Sequence, residues 1–242
     1  MSPALIASLA AAGLLAGWPQ RAVVVRLAVP ADQPPGQDCP GCGRRLPLAF
    51  PPRLTARCPA CGVRTGPSAL AVGGVTAVLL GALAARVHPG LVLAAACWLA
   101  ACAVPLAFID VAVRRLPDRL TGAAYAGTVA LLLLAAAVSG PWPALPRAVL
   151  GGLALAGFYL VLTVLSPSGM SLGDVKLAAS LGTLLAWFGW RVLIAGGFAG
   201  FALGALVGVA LLASGRAGRK QHIPFGPVMI AGAVLAVLAW PG

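Results

Sequence analysis

The chain contains five acidic residues, every one an aspartate. Two of them stand at the ends of long apolar runs, Asp110 in Phe108-Ile109-Asp110-Val111 and Asp174 in Ser171-Leu172-Gly173-Asp174-Val175-Lys176. A carboxylate near a bilayer is costly and by default marks a functional site. Two such groups facing one another cannot both ionise easily, so one keeps a proton and the pair divides acid and base roles. The ionised member can activate a water for attack on a peptide carbonyl. The protonated member can donate to the carbonyl oxygen and later to the leaving amine. That is the chemistry of an aspartyl protease dyad. Asp118, beside Pro117 and three residues from Arg115, reads instead as an ion-pair partner or helix cap. No Ser–His–Asp arrangement competes, because His88 is expected on the opposite side of the membrane and His222 lies in a basic loop.

A second constellation is Cys39-Pro-Gly-Cys42-Gly followed, after fifteen residues, by Cys58-Pro-Ala-Cys61-Gly. Two such pairs can supply four thiolates to one tetrahedral zinc ion. The glycine after each second cysteine lets the backbone turn so that both sulfurs face the ion. The surrounding segment is too short to bury a useful core, so metal binding would supply its folding free energy. Two disulfides or four free thiols are the other states these residues allow, and a cytoplasmic position disfavours persistent disulfides. Four ligands would close the site, which makes the metal structural. Cys97 and Cys102 lack such pairing and read as small packing residues.

The elements that position these groups are membrane helices. Hydrophobic residues make up 60% of the chain and charged residues 9%, against roughly 25% charged in an ordinary globular domain. Several apolar runs reach the roughly 18 residues that suggest a transmembrane helix, and Ala/Leu/Gly-rich blocks lack the alternation of a β-barrel. The fold class is therefore all-α and polytopic, with about eight spans near 3–28, 69–85, 90–109, 119–138, 145–165, 175–189, 192–213 and 225–241 and a small zinc-binding loop. Three regions follow: a first transmembrane segment at 1–29, a cysteine-rich loop at 30–68 and a membrane-embedded catalytic region at 69–242. No Lys or Arg precedes the apolar start of the chain, so it reads as part of the first span rather than a secretory signal.

The net charge of +12 is mostly a topology signal. The odd-numbered loops carry Arg44, Arg45, Arg53, Arg57, Arg64, Arg114, Arg115, Arg119, Lys176, Arg216, Arg219 and Lys220. The even-numbered loops carry only Arg86, Arg147 and Arg191. Such a bias places the odd loops, and with them Asp110 and Asp174, at the cytoplasmic face. Nucleic acid is not an expected partner; the lipid bilayer is.

At these residues the chain resembles the type IV prepilin peptidases, intramembrane aspartyl proteases with a Gly-x-Gly-Asp signature. The resemblance covers nearly the whole chain. It takes in the two Cys-x-x-Cys pairs and the block from Phe108 to Thr121, which ends in Leu-Pro-Asp-x-Leu-Thr. It continues through Gly169-Met-x-x-Gly-Asp-Val-Lys-Leu177 and Ile223-Pro-Phe-Gly-Pro227. It implies a bacterial cytoplasmic-membrane endopeptidase that removes the short basic leader from type IV prepilins, or from the related pseudopilins of type II secretion, at the cytoplasmic face. Asp110 and Asp174 map to its catalytic pair. Ser171, Gly173, Lys176, Pro224 and Gly226 fall where residues would shape the site or contact substrate. Many relatives also methylate the new N-terminus with S-adenosylmethionine, which would enter here only with that second activity.

Two departures stand out. The first glycine of the signature is Ser171, and the stretch Thr65–Gly74 lacks the acidic position usual in the family. The competing classes are an ion-coupled small transporter using the aspartates and a non-catalytic pilus or secretion assembly factor docking through its cysteine loop. A transporter would want acids deep in the spans and an internal repeat, and the chain offers neither.

Overall fold

Apolar runs bounded by capping residues become helices whose order matches the expected spans. A computed structural model of the chain describes residues 2–29, 35–36, 38–46, 56–165, 170–214 and 224–240. Among these residues are eight helices: α1 (Pro3–Leu27), α2 (Ala69–Ala84), α3 (Leu91–Val113), α4 (Asp118–Ser139), α5 (Ala144–Leu165), α6 (Leu172–Phe188), α7 (Trp190–Ala213) and α8 (Gly226–Ala239). Extended strands are absent from the described residues apart from two isolated antiparallel bridges in the cysteine loop. Serine caps open several helices: the Ser2 and Ser68 hydroxyls accept from Leu5 and Ala71 main-chain N–H groups and satisfy otherwise orphaned donors. Arg114 (φ 53°) and Gly140 (φ 79°) end α3 and α4 in the left-handed conformation.

Consecutive helices pack in pairs, α1 on α2, α3 on α4, α5 on α6 and α7 on α8. Lipid tails are as apolar as leucine, so helices in a bilayer associate through close packing of small residues rather than hydrophobic gain. The α5–α6 seam shows this: a Cβ on Gly182 would lie 2.7 Å from the Gly151 carbonyl oxygen and 2.9 Å from Leu155 Cβ. Polar ties add specificity. Gln20 of α1 donates to the Ala101 carbonyl at 2.9 Å and accepts from the Thr76 hydroxyl at 2.7 Å, joining three helices. Arg147 of α5 donates to the Ala186 and Trp187 carbonyls at 2.7 and 2.6 Å, at the C-terminal end of α6.

Four helices, α3, α4, α5 and α7, are long and apolar enough to cross a bilayer by themselves. The shorter apolar helices α2 and α8 have 16 and 14 residues, below the roughly 20 that a membrane-normal span needs. The expectation of eight spans is thus met as eight helices, with four spans by length and composition. The most apolar stretch of α3 is 61% buried within the protein, against 22% for α5 and for α7. In α6 every residue from Ser180 to Trp187 is buried. The helices carrying Asp110 and Asp174 are therefore interior ones.

Candidate active site

Asp110 lies in the last turn of α3 and Asp174 in the first turn of α6. Both are 4% exposed, and Asp110 is close enough to Asp174 to feel its charge. The start of α8 completes the cluster: the Gly226 main-chain N–H donates to Asp110 Oδ2 at 2.9 Å. A Cβ at Gly226 would also fall 2.9 Å from that oxygen, so only glycine lets α8 come this near. Gly173 has a similar reason, since a Cβ there would lie 2.7 Å from Leu116 Cβ in the α3–α4 turn. The turn after α3 and the starts of α6 and α8 thus meet at one end of the bundle. This is the grouping of the third, fifth and seventh loops that the charge pattern anticipates.

Asp174 sits in a capping box. Its Oδ2 accepts from the Ser171 main-chain N–H at 2.8 Å and the Ser171 hydroxyl at 3.0 Å. Ser171 Oγ accepts in turn from the Asp174 N–H at 3.4 Å. The other oxygen, Oδ1, is buried and has no hydrogen-bond partner among the described residues. A carboxylate at a helix N-terminus is favoured by the helix dipole. An unmatched buried oxygen is costly and calls for an explanation, such as strain, a catalytic role or a bound water or ion.

The remaining expected residues divide. Lys176 is turned to Asp118, its ammonium 2.6 Å from Asp118 Oδ1, with side chains 50% and 76% exposed. Asp118 is an ion-pair partner as expected, and a cation that holds it, Lys176, comes from α6. Pro224 is half-buried just before α8; Ser168, Gly169 and Ile223 lie outside the described residues. Sequence reasoning did not single out Tyr159. Its ring on α5 is 1% exposed, lies near enough to Asp174 to interact electrostatically, and packs 5.9 Å from Phe225 between centroids. Phe201 of α7 lies 5.2 Å from Phe225. Together these rings seat the residue before Gly226. The available signal was a lone phenol within the apolar run between Arg147 and Thr163.

In the first loop the two cysteine turns share one geometry. Gly43 N–H donates to the Cys39 carbonyl at 2.9 Å and Gly62 N–H to the Cys58 carbonyl at 3.0 Å. Both glycines have positive φ, 67° and 73°. The four sulfurs of Cys39, Cys42, Cys58 and Cys61 lie within 4.8 Å of one another, with Cys39–Cys61 at 3.5 Å and Cys42–Cys58 at 3.8 Å. A tetrahedral zinc with Zn–S bonds of about 2.3 Å needs sulfurs about 3.8 Å apart, so the donor set fits the ion. Backbone N–H groups of Cys61 and Ala60 pull the Cys58 thiol down to about 6, while hydrogen bonds within the cluster push the neighbouring Cys61 thiol up to about 12, so the four sulfurs share protons that a bound metal would displace. Arg21 of α1 anchors the loop through the Pro67 carbonyl (3.0 Å) and the Thr65 hydroxyl (3.2 Å). A cavity of about 710 Å³ opens between this loop, the end of α1 and Ala112, two residues beyond Asp110.

Two buried carboxylates on adjoining interior helices of an all-α membrane protein are an arrangement compatible with the intramembrane aspartic-type endopeptidases. Comparison with known proteins gives the family: the type IV leader peptidase profile matches residues 93–238, and the chain belongs to that family. Similar proteins named prepilin leader peptidase/N-methyltransferase occur in Bacillus subtilis, 31% identical over 84% of this chain and 82% of the relative. One in Aeromonas hydrophila is 34% identical over 84% and 71% of the two chains. Another in Burkholderia pseudomallei is 33% identical over 82% and 65%. No solved structure matches the chain significantly.

Proposed function

We propose that the protein removes the short basic leader from type IV prepilins or pseudopilins, at the cytoplasmic face of the bacterial inner membrane, with Asp110 and Asp174 as its catalytic pair. The observation that carries this reading is the pair itself: two carboxylates buried on neighbouring helices at the same end of the bundle, one with a free oxygen. With one shared proton, the ionised carboxylate takes a proton from water as the water oxygen bonds to the scissile carbonyl carbon. The protonated carboxyl gives its proton to the carbonyl oxygen. Collapse of the resulting gem-diol breaks the C–N bond, and the amine leaves with the proton first taken from water. One diol hydroxyl becomes C=O and returns its proton to the aspartate that donated it, restoring the shared-proton pair. The products are the leader's carboxylate and a new N-terminal amine.

In this reading residues 69–242 carry the peptidase and the 30–68 loop is stapled by zinc on Cys39, Cys42, Cys58 and Cys61. The metal would supply folding free energy there and no step of hydrolysis. Gly173 and Gly226 shape the site by close approach, whereas Lys176 is turned to Asp118 and away from the pair. A second activity, transfer of a methyl group from S-adenosylmethionine to the new amine, is favoured by the relatives' printed names. The mass of the mature N-terminus reads it directly.

The test is cleavage of a prepilin-type substrate by the purified full chain. Asp110→Asn and Asp174→Asn are each expected to abolish cleavage while the protein still inserts, and the double variant to be no worse than either. Near-normal processing by either single variant would end the dyad assignment.

A further inference from the structure

We infer that Ser171 is a positioning residue that clamps one oxygen of Asp174 and so presents the other to the reacting atoms. The inference rests on the proposed dyad. Ser171 stands where the family signature has a glycine, which brings only a main-chain N–H to this position. Here the hydroxyl adds a second donor to the same oxygen, Oδ2, at 3.0 Å beside the N–H at 2.8 Å. Both bonds come from one residue whose backbone is extended (φ −108°, ψ 159°) and which is itself the cap of α6. Ser and Asp at N-cap and N3 form the box; the aspartate is one methylene shorter than the usual glutamate, so its carboxylate is drawn close to the helix start.

The consequence for the site is orientational. With Oδ2 committed to two donors, rotation of the carboxylate about its Cβ–Cγ bond would break both. Oδ1 is thereby held in one place, buried, and without a hydrogen-bond partner among the described residues. A structural cap has no need of an unmatched buried oxygen on the opposite side of the carboxylate. A base that must meet a water or a scissile carbonyl does, because its free lone pairs have to be aimed before the substrate arrives. Ser171 touches no reacting atom in this scheme; it acts through Asp174.

The bland alternative is that Ser171 only caps α6, and substitutions separate the two. Glycine is nearly as good an N-cap as serine, whereas alanine is a poor one. Ser171→Gly and Ser171→Ala both remove the hydroxyl donor, but only Ser171→Ala should lower the melting temperature clearly. Ser171→Thr keeps the hydroxyl. For cleavage of a prepilin-type peptide with a basic leader by the full chain in detergent, both Ser171→Gly and Ser171→Ala are expected to lose roughly fivefold to tenfold in kcat, about the effect of one lost hydrogen bond. KM should stay within about twofold, and Ser171→Thr should recover most of the rate. If Ser171→Gly keeps wild-type kcat, or if activity follows melting temperature across the three variants, the positioning role is overturned and only the cap remains. Asp174→Asn is run alongside: if it still cleaves, the dyad reading itself has failed, whatever the serine variants do.

Discussion

Asp110 and Asp174 are held by different means, and the difference sets what single substitutions should do. Asp110 depends on a main-chain donor 116 residues away, the Gly226 N–H at 2.9 Å, and any side chain at Gly226 enters the space of its carboxylate. Gly226→Ala is therefore expected to displace the carboxylate and lower kcat roughly tenfold to a hundredfold, with initial rates of leader cleavage as the measurement. Asp118 sits outside the pair. Its exposed bridge to Lys176 should contribute about 0–1 kcal/mol, so Asp118→Asn should keep substantial activity and nearly the same melting temperature. Because the proposed pair works with one proton, the rate should fall at high pH as that proton is lost and at low pH as the second carboxylate gains one. A flat profile would argue against shared-proton chemistry.

The helices place these residues through small-residue seams and polar ties rather than apolar faces. Gly182 has no room for a side chain against Gly151 and Leu155. Gly182→Leu should force α6 away from α5 and cost about 1–3 kcal/mol by overpacking, read as a lower melting temperature in detergent, with cleavage falling as Asp174 shifts. The cysteine loop is an element of another kind, two tight turns expected to be closed by an ion. Metal analysis of the purified chain should give one zinc per protein. Cys→Ser changes at Cys39, Cys42, Cys58 or Cys61 should lower abundance or stability more than turnover. Since thiolates bind the metal and protons compete for them, zinc should be kept at neutral pH and released on acidification. A metal-free protein with oxidised thiols would instead favour disulfides.

At the scale of the molecule, the turn after α3 and the starts of α6 and α8 gather at one end, and the excess of Arg and Lys expects that end to face the cytoplasm. Labelling of introduced cysteines from outside the cell should reach Pro143→Cys and miss Gln37→Cys, the latter position lying outside the described residues. The reverse pattern would sink the topology and the cytoplasmic dyad together. Much of this molecule was legible in its residues alone. Helix order follows from apolar run length, the cysteine cluster from spacing within one loop, and the two aspartates from the rarity of acids beside a bilayer, all local or compositional signals. What only the tertiary structure decided is how the helices are rotated about their axes: the Gly226 N–H on Asp110, the pairing of Lys176 with Asp118, the Tyr159–Phe225 contact, and the free Oδ1 of Asp174. In a soluble bundle an apolar stripe announces the inward face. Here the lipid side and the protein side are equally apolar, so the pattern along each helix carries little record of which face is buried, and that choice falls to glycine contacts and hydrogen bonds between distant segments.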